Sequence, residues 1–121
     1  MQEQRFRKLD VWAKAINYIE KLYRITEKFP SKELYGLTSQ IRRASTSIAL
    51  NIAEGSGSGS DNEFRRFLNI ALRSSYEVFC GLEIAKRLKF ISDDEFKLLT
   101  KDCDELSAMI FGLQKKLKAD S

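Results

Sequence analysis

The clearest structural signal lies in residues 96–117, which read FKLLTKDCDELSAMIFGLQKKL. Steps of three and four residues alternate between its apolar positions, which are Phe96, Leu99, Cys103, Leu106, Ile110, Leu113 and Leu117. A repeat that averages about 3.5 residues keeps one face of a helix turned toward a partner helix. Residues 96–117 therefore predict a long helix that packs in a bundle with shallow, left-handed crossings.

Three more segments show helical periodicity, and local signals mark where the helices begin and end. The four predicted helices span about 11–28, 33–54, 61–89 and 93–117. Ser60 with Glu63, and Ser92 with Glu95, have the spacing of capping boxes at the starts of the third and fourth helices. Pro30, the only proline, separates the first two helices.

The helix lengths and their connections predict the architecture. Long helices joined by a few residues must run antiparallel to their neighbours. The Gly-Ser run at residues 55–60 is expected to be a flexible connector, since it has neither the lysine nor the preceding strand of a phosphate-binding loop. We therefore predict an all-α protein with one domain over residues 1–121, folded as an antiparallel up-down-up-down four-helix bundle with left-handed packing.

Composition excludes several classes of function. The 121 residues include 21 Lys+Arg and 17 Asp+Glu, for a net charge of +4, and no histidine. The chain therefore has no Ser–His triad, no histidine base and no histidine-ligated metal site. The acidic residues at 93–95 and 102–105 are expected to be surface charge. We predict no catalytic residues, no metal, no cofactor and no enzymatic activity.

The cysteines and the apolar runs predict a cytoplasmic protein. Cys80 and Cys103 fall within predicted helices and are expected to be reduced, small apolar side chains rather than a disulfide. The first ten residues have no signal-peptide pattern, and no segment has the roughly 20 consecutive apolar residues of a membrane span. No membrane partner is therefore predicted.

The second predicted helix has unusually little surface charge. Residues 37–54 contain no lysine and a single acid, Glu54. Beside the apolar face runs a polar stripe made of Gln40, Arg43, Ser47, Asn51 and Glu54. Such a helix is expected to be covered on more than one side, which a four-helix monomer does not provide. This predicts a homo-oligomer with the second helix near the subunit contact; the alternative is a monomer that exposes small residues.

Motifs in the second and third helices resemble those of a known family. They are Gln40-Ile41-Arg42-Arg43-Ala44, Ser47-Ile48, Asn51-Ile52-Ala53-Glu54-Gly55, Glu63-Phe64 and Arg66-Phe67-Leu68. Together they resemble the signature of the bacterial four-helix bundle proteins encoded in intervening sequences of 23S ribosomal RNA genes. The resemblance covers about residues 6–90 and departs at Arg73-Ser74, where the family usually carries Gly-Ser. It implies a homopentamer, and a relative, the accessory protein of diversity-generating retroelements, implies binding to nucleic acid and to a reverse transcriptase.

Arginines are the strongest candidates for function. Residues 1–60 carry the whole positive excess, and every basic residue within 36–76 is an arginine. The planar guanidinium suits phosphate and nucleic-acid bases. The predicted nucleic-acid contacts are Arg42, Arg65, Arg66, Arg73 and, near the start of the chain, Arg5, Arg7 and Lys8. The alternative for these residues is solvated or intersubunit charge.

A second set of polar residues is expected to serve assembly. Its members are Gln40, Arg43, Asn51 and Glu54, which share the polar stripe of the second helix. Side chains of these types join helices or subunits through charge-assisted hydrogen bonds. We therefore predict that the set forms a structural polar network or part of a subunit interface.

The predicted function is that of a non-enzymatic, homo-oligomeric accessory protein. A pentamer would carry about five times the +4 charge of one chain, enough to attract a polyanion. The expected partners are further copies of the chain and structured RNA or an RNA–protein complex. The alternative is a protein scaffold that docks a partner polypeptide and whose arginines serve only oligomer assembly.

Overall fold

The computed structural model describes residues 4–117, and helices are the only regular secondary structure over that range. Its four α-helices are α1, Asp10–Thr26; α2, Leu37–Ser56; α3, Asp61–Arg87; and α4, Asp93–Lys116. Short 3₁₀ helices at Arg5–Lys8 and Ser31–Glu33 precede α1 and α2. The predicted all-α, four-helix fold is confirmed, while residues 1–3 and 118–121 of the predicted domain lie outside the described residues.

Each helix packs against two others, α1 and α3 both lying between α2 and α4. Two ion pairs join α1 to α4: Lys14 Nζ lies 3.0 Å from Glu105 Oε2, and Lys21 Nζ lies 2.9 Å from Asp102 Oδ2. Residue numbers rise along α1 as they fall along α4, which is consistent with the predicted up-down order. The left-handed crossing stays a prediction.

The predicted capping box is complete at α4 and half formed at α3. Ser92 Oγ accepts the Glu95 amide at 3.0 Å, and Glu95 Oε1 accepts the Ser92 amide at 2.9 Å. Ser60 Oγ accepts the Glu63 amide at 3.1 Å, but the carboxylate of Glu63 turns to Arg66 instead of back to Ser60. Competition from a neighbouring cation is the physical reason for the difference.

The second helix begins at Leu37, four residues after the predicted start at 33. Glu33 belongs to the preceding 3₁₀ helix, and its Oε1 accepts the amide of Leu37 at 3.2 Å. A Cβ at Gly36 would lie 2.9 Å from that same oxygen. Glu33 therefore caps α2 from outside rather than forming its first turn.

The apolar repeat of α4 enters the core as predicted. Leu99, Cys103, Leu106 and Ile110 are buried, and the remaining members of the repeat are partly buried. They meet fully buried side chains of the other helices, among them Leu22, Ile48, Leu68 and Leu82. Burial of these side chains away from water is the main force that holds the helices together.

One polar layer crosses the core near the middle of α4. Ser107 Oγ donates to Ser75 Oγ at 2.9 Å, and the Cys103 thiol donates to the Ser75 carbonyl at 3.3 Å. The Tyr18 hydroxyl donates to the Leu99 carbonyl at 2.9 Å. Burial raises the pKa of the Cys103 thiol to about 11 and raises the pKa of Tyr18 above its ordinary value. Both cysteines are free, as predicted; Cys103 is buried and Cys80 is exposed.

Two glycines inside helices have opposite surroundings and therefore predict opposite effects of substitution. A Cβ at Gly81 would lie 2.7 Å from Ile41 Cγ1, whereas a Cβ at Gly112 would meet no atom within 4 Å. We expect Gly81→Ala to lower the free energy of unfolding by about 1–3 kcal/mol through overpacking. Gly112→Ala should raise it by about 1 kcal/mol through helix propensity. Urea unfolding measures both, and destabilisation by both substitutions would contradict the packing at Gly112.

Candidate nucleic-acid interface

Basic side chains from three segments of the chain meet at one end of the bundle. The 3₁₀ helix Arg5–Lys8 leads into the start of α1, where α3 also begins and where α2 and α4 end. We call this set of side chains the basic end; it consists of Arg5, Arg7, Lys8, Arg65, Arg66, Lys115 and Lys116. Five of the seven were predicted from the sequence, and the two lysines near the end of α4 were not.

Two side chains of the 3₁₀ helix Arg5–Lys8 hold it against the bundle. Arg5 Nη1 donates to the Ser56 carbonyl, the last residue of α2, at 3.3 Å. The Phe6 ring packs edge-on against Trp12, with 4.9 Å between the ring centroids. The side chains of Arg7 and Lys8 are exposed. Arg5 thus caps the end of α2, while Arg7 and Lys8 remain accessible to a ligand.

Arg65 is bound to the end of α4. Its Nη1 donates to the Gln114 carbonyl at 2.8 Å and to the Leu117 carbonyl at 3.4 Å. Gln114 Nε2 donates in return to the Arg65 carbonyl at 3.1 Å and to Asn69 Oδ1 at 2.8 Å. The last carbonyls of a helix have no partner inside the helix, and a cation there also matches the helix dipole. Arg65 is therefore a capping residue as well as part of the basic end.

Arg66 lies on the surface one turn into α3. Its Nη2 lies 3.0 Å from Glu63 Oε2, and its guanidinium stacks over the Phe67 ring, 4.6 Å from the centroid. Hydrogen bonding to Arg66, and then its charge, lowers the pKa of the Glu63 carboxyl. Both side chains are about half exposed, so the pair is accessible but partly neutralised.

Two predicted contact residues lie away from the basic end. Arg42 Nε donates to Thr26 Oγ1 at 2.9 Å, and its guanidinium stacks over Tyr23, 4.6 Å from the ring centroid. This places Arg42 at the far end of α1, a helix about 25 Å long. Arg73 is exposed halfway along α3 and makes no hydrogen bond or ion pair within the described part of the chain.

The predicted polar set lies along the outer side of α2. Gln40, Arg43 and Glu54 are exposed, and Asn51 Nδ2 donates to the Ser47 carbonyl at 2.8 Å. No hydrogen bond joins the four members of the set to one another among residues 4–117. Neighbouring exposed side chains of α2 and α3 complete a surface that we call the α2–α3 face, consisting of Gln40, Arg43, Leu50, Glu54, Arg73 and Glu77.

Other kinds of site find no support in the described residues. Over 4–117, no three Cys, Asp or Glu side chains come together where they would hold a metal ion. Every helix in that range is too short or too polar to cross a bilayer.

The cap provided by Arg65 can be tested by substitution. We expect Arg65→Ala to lower the free energy of unfolding by about 1.5 kcal/mol, because it removes the side-chain donor from the Leu117 carbonyl and leaves the Gln114 carbonyl with only the Leu117 amide at 3.3 Å. Lys101→Ala, at an exposed position on α4 outside the α2–α3 face, is the matched control and should stay within about 0.5 kcal/mol of wild type. Urea unfolding measures both. Equal losses at the two positions would mean that removal of charge, not of the cap, causes the effect.

Comparisons with known proteins agree with this fold. Residues 7–112 match the family model described as 23S rRNA-intervening sequence protein. A crystal structure of a protein of unknown function from the S23 ribosomal protein family of Bacteroides thetaiotaomicron is similar to the chain, with a TM-score of 0.81 and 24% sequence identity. The similarity covers 88% of this chain and 96% of the other, and at that identity it shows the fold alone. No curated protein matches the chain.

Proposed function

The chain belongs to the 23S rRNA-intervening sequence protein family, and from that premise we propose that it acts in the cytoplasm as a homo-oligomeric accessory protein that binds structured RNA. The observation that carries the proposal is the basic end, where seven cations from three separate segments converge. The family's description supports RNA rather than another polyanion as the ligand.

The charge balance at the basic end favours an anionic partner. Among residues 4–117, four carboxylates, those of Asp10, Glu54, Asp61 and Glu63, belong to helix turns at the same end, so the described cations exceed them by three. Contacts of Lys and Arg with phosphates supply most of the sequence-independent affinity for nucleic acid. Arg7, Lys8, Lys115 and Lys116 are exposed and suited to this role.

The proposed function is non-enzymatic. The sequence offers no histidine base, and burial holds the Cys103 thiol in its protonated form by raising its pKa to about 11. A protonated thiol is a poor nucleophile. The side chains of the basic end are donors, suited to binding phosphate rather than to proton transfer.

Salt titration of a double variant tests RNA binding. We expect wild-type binding to a structured RNA hairpin to weaken with a slope of log K against log salt of about −3 to −5, for four to six phosphate contacts. Arg7→Glu/Lys115→Glu should weaken binding by about tenfold or more at low salt. Fluorescence anisotropy measures both quantities.

The control has the same charge change at a different place. Lys97→Glu/Lys101→Glu also lowers the net charge from +4 to zero, but at exposed positions in the first half of α4. It should bind RNA more tightly than the double variant at the basic end. Equal weakening would refute localisation to the basic end. No binding of the hairpin by the wild type would favour the scaffold alternative, in which the arginines serve only oligomer assembly.

The α2–α3 face supports the homo-oligomeric part of the proposal. Leu50 is 62% exposed, although it lies among the polar residues predicted to contact another subunit. Arg43 and Glu77 line one shallow groove, so the face offers charges of both signs beside an apolar anchor. Interfaces between subunits combine such apolar centres with paired polar groups. The family resemblance points to five copies.

Light scattering tests the assembly. We expect the wild type to have the mass of an oligomer at micromolar concentration, and Leu50→Glu to reduce that mass, because a buried unpaired carboxylate is costly at an interface. Leu98→Glu is the matched control, since Leu98 is 66% exposed on α4 and lies outside the α2–α3 face. It should leave the mass unchanged. A wild-type monomer, or equal dissociation by both variants, would contradict the proposed interface.

A further inference from the structure

Gly112 is a helix-weakening residue that no contact within residues 4–117 requires. It lies in α4, four residues before the helix ends, where every other common residue except proline would favour the helix more. A Cβ built at Gly112 meets no atom within 4 Å, in contrast with Gly81, where a Cβ would lie 2.7 Å from Ile41. A glycine without a packing reason allows close approach of another molecule to the backbone.

Gly112 opens into a groove of about 480 Å³ between the start of α1 and the last turns of α4. This volume falls in the range of sites that hold a few side chains or a small ligand. Its floor is aliphatic or thioether in character and consists of Leu9, Val11, Met109 and Leu113. Lys8 and Lys116 lie on the rim, and Asp10 is the single acid that lines the groove among residues 4–117.

We propose that this groove, which we call the Gly112 groove, docks a short acidic peptide segment of a partner protein, with a leucine-like side chain inserted against the floor. Charge complementarity selects an acidic segment, because the rim lysines belong to the basic end, where cations exceed carboxylates. Within the described part of the chain, no aromatic ring lines the groove, so residues 4–117 offer no stacking platform on which an unpaired base would rest.

The groove proposal and RNA binding share Lys8 and Lys116, but they are separable because each also depends on side chains that the other does not use. Gly112→Leu would fill the groove without changing any charge of the basic end. Arg7→Glu/Lys115→Glu would change two charges of the basic end but no residue that lines the groove. The two proposals can therefore fail independently, and each failure is observed in a different variant.

Titration of the ¹⁵N-labelled protein with a synthetic peptide tests the groove. The probe is an acetylated peptide with the unit Glu-Leu-Leu-Glu repeated three times, and the control probe replaces each leucine with serine. We expect the leucine peptide to shift the amide signals of Val11, Gly112 and Leu113, and the serine peptide to leave them unchanged. Lys8→Glu/Lys116→Glu should weaken peptide binding by about tenfold.

Filling the groove should weaken the interaction. We expect Gly112→Leu to weaken peptide binding by at least about tenfold and Gly112→Ala to have a smaller effect in the same direction. Ala13→Leu is the matched control, because Ala13 is exposed on α1, about 200° around the helix from Val11, and does not line the groove. It should bind the peptide as the wild type does. Thermal unfolding monitored by circular dichroism checks that each variant is folded. If Gly112→Leu is unfolded, Gly112→Ala carries the test.

Three results would overturn the proposal. The first is the absence of any shift at about 1 mM peptide, the weak limit of specific binding. The second is wild-type affinity in the filled variants. The third is an RNA hairpin that shifts the same amides and loses this effect in Gly112→Leu, which would assign the groove to nucleic acid instead.

Discussion

The carbonyl groups at the ends of the four helices must find donors, and this requirement organises the molecule. Arginines from distant segments reach the last carbonyls of three helices: Arg42 at α1, Arg5 at α2 and Arg65 at α4. The end of α3 is closed by its own backbone, with Lys89 in the left-handed region at φ 65° and the Phe90 amide bound to the Ala85 carbonyl at 2.8 Å.

Capping divides the arginines into two groups with different chemistry. An arginine that donates to helix carbonyls holds a fixed position and has fewer donors left for a phosphate, as with Arg42 and Arg65. Arg7 and Lys8 make no such bond among residues 4–117 and keep their full capacity. Two capping arginines, Arg5 and Arg65, lie at the same end of the bundle as Arg7 and Lys8. Capping cations and accessible cations therefore both add to the positive charge of the basic end.

Features set by local spacing were predictable, whereas features set by distant pairing were not. The apolar repeat of α4 and the capping box at Ser92 depend on residues three or four apart, and the structure contains both. The bond from Arg65 to the Gln114 carbonyl spans 49 positions, so no pattern in the sequence marks it. Tertiary packing, and not local spacing, places Lys116 at the basic end and Gly112 in its groove. The only sequence signals for these two features were a glycine and a Lys-Lys pair inside a predicted helix.

The two long sides of the bundle differ in how closely they are packed, and this difference separates their roles. Between α2 and α3, the Ser74 hydroxyl donates a hydrogen bond to the Ser47 hydroxyl at 2.8 Å, and the absence of a side chain at Gly81 leaves room for Ile41. Between α1 and α4, two surface ion pairs bridge a seam that opens into grooves of about 450 and 480 Å³ toward its two ends. Exposed ion pairs stabilise such a contact only weakly. The closely packed α2–α3 side is therefore suited to a fixed subunit contact, and the open α1–α4 side to a ligand that inserts between helices.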